Sequence, residues 1–252
     1  MMTMPSDFAI RLAGGLAAML LLTSWRQVPP AFFRTINLVI LGLLVAACLT
    51  AMGVVPKTVL GTMIVASVIA YLASAFWGLG LPRIAIPMTV AIVVIAEGLL
   101  VWTSLTGSIR VPAVVAFNIL SRTSSAALLG STLAAMLLGH HYLTAPAMTI
   151  DPLKRYVAAM AWTLPPRVLL AAIALVLTIK TGVAHNAVSP LFLAMRWGMG
   201  VLGPAVATYL SWQTVRIRST QAATGILYIG MTLLLFGELA GLILGRESGV
   251  EL

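Results

Sequence analysis

Four charged side chains lie where the chain is otherwise apolar: Glu97, Arg167, Arg196 and Glu238. A charge in hydrocarbon is costly. Each one therefore needs a partner or a polar cavity, and each marks a candidate proton-transfer or anion-binding site. Glu238 sits in the stretch from Gln221 to Gly245, QAATGILYIGMTLLLFGELAGLILG, which is long enough to span a bilayer. Gly237, Gly241 and Gly245 follow one another at every fourth position, a ridge on which another helix can pack closely. Arg196 falls roughly a third of the way into its apolar segment, and Glu238 roughly two thirds of the way along the next, antiparallel one. The two share a depth and are expected to pair. Arg167 and Glu97, near the middles of their segments, join them if the bundle brings their helices together. Such a group serves either as an ion pair that holds helices or as a proton-titrating or anion-binding centre.

A second group of candidates lies at one end of the predicted helices. His140, His141 and Tyr142 close one segment, Arg155 opens the next, and Arg216, Arg218 and Gln221 fall in a connection that includes RIRSTQ. Together with Lys154, Ser219 and Thr220 they could form one cationic mouth for a lipid headgroup, a quinone carbonyl or an anionic substrate. Ser219 or Thr220 can also cap the following helix. A haem between two histidines is disfavoured. His140 and His185 fall on opposite faces, separated by most of a roughly 30 Å hydrocarbon layer. A metal centre lacks ligands, because the one cysteine, Cys48, lies in an apolar run and only Asp151 is near the histidines. The cofactor is left open, with quinone as the candidate. No phosphate-binding loop, nucleophile elbow or HExxH motif is present, so no catalytic residue is assigned and enzyme activity is left undecided.

The elements that must hold these residues are helices. The chain of 252 residues is 61% hydrophobic and 8% charged, with a mean hydropathy of +1.07. A soluble domain carries roughly 25% charged residues. The expectation is an all-α, polytopic membrane bundle of about eight transmembrane helices forming one domain over 1–252. The segments lie near 8–25, 31–53, 58–80, 84–106, 119–141, 156–178, 188–212 and 221–245. Pro29, Pro30, Pro56, Pro82, Pro112, Pro146, Pro152 and Pro190 punctuate the connections. Pro165 and Pro166 fall inside the sixth segment, where they are expected to break the helix beside Arg167. Phe8–Leu22 resembles a signal sequence in length. Asp7 before it and the lack of a small-residue cleavage pattern favour a retained first helix.

Eight spans put both termini on one face, called A here. The formal charge of +9 is scattered over short loops. That pattern favours anionic lipid and partner membrane subunits over nucleic acid. Face B carries Arg26, Arg83, Lys154, Arg155, Arg216 and Arg218. Face A carries Arg11, Lys57, Arg110, Lys180 and Arg246, with Arg122 just inside. The paired charges on B place it in the cytoplasm and the termini outside the cell membrane. The leading functional expectation is a subunit of a redox or energy-transducing complex that touches quinone or lipid at the face B mouth. The alternatives are a small secondary transporter using the internal Arg/Glu site, and a structural or assembly subunit.

Overall fold

The computed structural model describes residues 2–107, 111–145, 148–180 and 190–248. Arg110, Pro146 and His185 lie outside them. The described residues fold as α1 (Met4–Leu21), α2 (Pro30–Ala51), α3 (Lys57–Gly78), α4 (Pro82–Leu105), α5 (Pro112–Thr144), α6 (Asp151–Lys180), α7 (Pro190–Trp197), a π-helical turn (Gly198–Leu202), α8 (Gly203–Arg216) and α9 (Thr220–Ser248). The seventh span combines α7, the π turn and α8. Among the described residues, eight spans are long and apolar enough to cross a membrane, and the chain is an all-α integral membrane bundle. Large apolar side chains such as Leu49, Val94, Leu120, Leu169 and Ile229 point outward, as a lipid-facing surface requires.

Prolines set most helix starts. Pro30, Pro82 and Pro112 occupy the first turn of their helices, where the missing N–H would have no intrahelical partner anyway. Pro112 starts α5 seven residues before the expected 119, so the stretch assigned to a connection is helix. At about 1.5 Å per residue, the 33 residues of α5 outreach the hydrocarbon layer. α1 also starts early, at Met4. Thr3 caps it by accepting the backbone N–H of Ser6, which draws Asp7 into the first turn.

α1 packs on α2, α4 and α5, and α5 packs on α1, α4, α6 and α9. The first four spans and the last four therefore meet along α1 and α5. They meet backbone to backbone. A Cβ on Gly15 would lie 1.8 Å from the Ala126 carbonyl oxygen, and one on Gly130 would lie 2.1 Å from the Gly15 carbonyl carbon. Only glycine fits there. Both termini reach the same face, since the Arg246 guanidinium donates to the Met2 carbonyl at 2.7 Å.

The expected break in the sixth span is absent: α6 runs through Pro165 and Pro166 without interruption. The irregular turn lies in the seventh span instead. Pro204 has no N–H to give the Gly200 carbonyl, and the preceding Gly203 N–H reaches back five residues to the Gly198 carbonyl. The widened turn carries Gly200 against α9. A Cβ on Gly237 would lie 2.0 Å from the Gly200 Cα, and Gly203 and Gly230 continue the contact against Leu233 and Ala207. The glycine ridge of α9 is used at Gly237, and the contact extends from there toward Gly230.

Candidate functional site

Glu238 is the centre of a buried triad. Arg167, Arg196 and Glu238 are each 1% exposed. Arg167 grips the carboxylate side-on: its Nε donates to Oε1 at 3.0 Å and its Nη2 to Oε2 at 2.8 Å. Arg196 adds Nη1 to Oε1 at 2.9 Å, and the Ser125 hydroxyl donates to Oε2 at 2.6 Å. These four donors use the acceptor capacity of the carboxylate. The third nitrogen of Arg167, Nη1, donates to the Ser121 hydroxyl at 2.8 Å. The expected pairing of Arg196 with Glu238 is present, and Arg167 joins it. The widened turn helps to make this possible, because Gly200 lets α7 and α9 approach within reach of the Arg196–Glu238 bond.

Glu97 does not join. It is half-buried on α4 and accepts from the Thr123 hydroxyl at 2.9 Å on the outer, lipid-facing side of the bundle. A different carboxylate takes part in the interior. Asp7 on α1 is buried and meets the Arg11 guanidinium at 2.6 Å and that of Arg122 at 3.4 Å. Arg122 also donates to the Thr103 hydroxyl. Each buried carboxylate therefore bridges two guanidiniums, and the charges of Arg167 and Arg11 both bear on Arg196. Counted along their helices, Arg11, Arg122, Arg167, Arg196 and Glu238 lie roughly 10–20 Å from the helix ends on face A, and Asp7 and Thr103 lie within about 5 Å of them. They form one polar layer in that half of the membrane.

Among the charged candidates read from the sequence, the first four spans contribute Glu97 alone. The structure adds Asp7, Arg11 and Thr103 from these spans. The residues that tie the layer together sit in one run on α5, Ser121-Arg122-Thr123-Ser124-Ser125. Ser121 serves Arg167, Arg122 serves Asp7, Thr123 serves Glu97 and Ser125 serves Glu238. The signal was present as consecutive hydroxyl residues around an arginine within an apolar segment.

The face B candidates divide. Tyr142 is buried and its hydroxyl donates to the Thr149 carbonyl. His141 lies under Phe32, with ring centres 5.6 Å apart. His140 points outward, edge-on to Tyr228 at 6.3 Å. Arg155, Arg216, Arg218 and Gln221 are exposed. The connection between α8 and α9 closes with the Ser219 N–H on the Thr214 carbonyl and the Arg218 N–H on the Val215 carbonyl. Arg218 there has φ 58°, a backbone position that favours glycine. Among the described residues, no three His, Cys, Asp or Glu side chains gather as metal ligands would.

Comparison of the chain with family models, with curated proteins and with solved structures gives no match. The functional argument therefore rests on the polar layer.

Proposed function

We propose that this integral membrane protein is a small carrier that binds an anionic solute group at the Arg167–Arg196–Glu238 centre. One observation carries the reading. The triad has two guanidiniums for one carboxylate, and Nε and Nη2 of the fully buried Arg196 have no hydrogen-bond partner among the described residues. Buried donors without partners cost free energy, and an anion at that edge removes the cost. The same geometry argues against a proton relay through Glu238. A proton there would displace one of four donors and leave two guanidiniums without a counter-charge in a low dielectric. The π turn beside Arg196 also fits a binding element, since such turns recur at functional sites.

The quinone-linked reading draws less support. It needed His141 and Tyr142 in an open mouth, and both turn into the bundle. Assembly with another membrane subunit is a second reading, favoured by Glu97. A carboxyl facing lipid with only the Thr123 hydroxyl as described partner suits a donor from a neighbouring helix. On that reading, a Glu97→Leu variant extracted in mild detergent migrates at a lower native mass than wild type. The charge pattern supports face B as cytoplasmic and the termini as external to the cell membrane.

The carrier reading is tested in liposomes containing the full chain, by flux of acetate, phosphate and chloride. At least one anion is expected to cross saturably, and Arg196→Gln should abolish that flux. Flux no faster than in protein-free liposomes, or untouched by Arg196→Gln, would overturn the reading.

A further inference from the structure

The geometry points to a carboxylate as the group that docks on Arg196, held side-on by Nε and Nη2; this rests on the anion-binding reading of the triad. The molecule contains its own template. Nε–H and one N–H of Nη2 point the same way from a guanidinium and match the two oxygens of a carboxylate. Arg167 uses that edge for Glu238, at 3.0 and 2.8 Å. Arg196, buried in the same place and anchored through Nη1, offers the identical edge, and neither of its nitrogens has a partner among the described residues.

Precedent within the molecule favours a carboxylate. Within the triad, two guanidiniums and one carboxylate leave one positive charge, which a monocarboxylate balances, and Arg167 already holds a carboxylate on the same edge in this interior. The result would be a ring of alternating charge: ligand, Arg196, Glu238, Arg167. Gly200 fixes the aim of the fork, since a Cβ there would meet Nη1 of Arg196 at 2.6 Å. The carboxylate could come from a water-soluble acid or from a fatty acid already in the bilayer. The chemistry at Arg196 is the same for both.

The test is binding to the purified full chain in detergent, measured by calorimetry with acetate, laurate, phosphate and chloride on wild type and Arg196→Lys. Lysine keeps a cation for Glu238 but presents no fork. Acetate or laurate should bind wild type and weaken about tenfold or more in Arg196→Lys. Acetate binding identifies an aqueous source, and laurate alone a membrane source. Equal carboxylate affinity in the two proteins would overturn the inference. So would binding of phosphate or chloride without either carboxylate, which leaves the anion reading standing. No binding of any anion sinks both. Should Arg196→Lys not fold, isotope-edited infrared on wild type decides instead. The antisymmetric stretch of carbon-13 acetate or laurate must shift on binding, and an unshifted band refutes side-on docking.

Discussion

Removing the charge of Glu238 and removing that of Arg196 should have different costs, although the two residues share a hydrogen bond. Glu238→Gln leaves Arg167 and Arg196 facing the same site with no anion between them, both 1% exposed. Stripping one partner from a buried ion pair costs about 3–5 kcal/mol, and here two cations lose it at once, so the upper end is expected. Arg196→Gln leaves the side-on pair of Arg167 and Glu238 intact and electrically balanced. It loses one charged hydrogen bond, worth about 1.5–3 kcal/mol. It also removes two buried donors without a described partner, a gain of about 1–3 kcal/mol each, and leaves a cavity where the longer side chain lay, a cost of about 2–5 kcal/mol. At their midpoints these terms largely offset and leave a net loss of about 2 kcal/mol, below that of Glu238→Gln. Reversible unfolding in mixed detergent and SDS micelles measures both. The reasoning fails if the two variants lose equal stability, or if Arg196→Gln is the worse of the two.

Four further outcomes follow, three from the geometry and one from the charge pattern. Gly130→Val puts side-chain atoms into the Gly15 backbone and should leave no monodisperse peak on size exclusion. Gly98→Ala, with nothing within 4 Å of the added Cβ, should fold and gain up to about 1 kcal/mol from helix propensity. Arg218→Gly relieves the positive φ and should raise stability by about 1 kcal/mol; a loss would show that the arginine side chain holds that turn. A fluorescent reporter fused after Leu252, one that matures only in the cytoplasm, should stay dark, while one inserted in the α8–α9 turn should glow; the reverse pattern inverts the orientation.

Much of the bundle was legible from composition and length. Apolar runs of helical length have one stable form in lipid, and the prolines mark most of their starts. Depth counting found Arg196 and Glu238 because neighbouring antiparallel spans share a common origin at their connection. The same method left the place of Glu97 conditional on which helices meet, because depth says nothing about which face of a helix a residue occupies. Asp7 and Arg11 were read as end residues. The Thr3 cap, which begins α1 at Met4, is what carries them into the layer. The Ser121–Ser125 run went unnoticed because hydroxyl groups barely change hydropathy, though they are effective donors and acceptors in a dry interior. The turn at Gly198–Leu202 could not be read from spacing. Two prolines in α6 looked the stronger break, yet the irregularity formed where glycines allowed two backbones to touch.

The α5 run has a mechanical consequence. A carrier that rocks one half of its helices against the other must let the halves slide at their shared boundary. Here that boundary is the glycine crossing of α1 and α5, and α5 holds hydrogen bonds to the charged residues of α1, α4, α6 and α9. Sliding would break several of these bonds together. Among the described residues, Arg196 on α7 reaches the layer through its hydrogen bond to Glu238, on the far side of a widened turn. Exchange of a π turn for an α turn rotates the residues before it by about one position, roughly 100°, and would carry Arg196 away from Glu238 while the rest of the layer stays bonded. The fold thus resembles a fixed frame with one rotating latch more than two swinging halves.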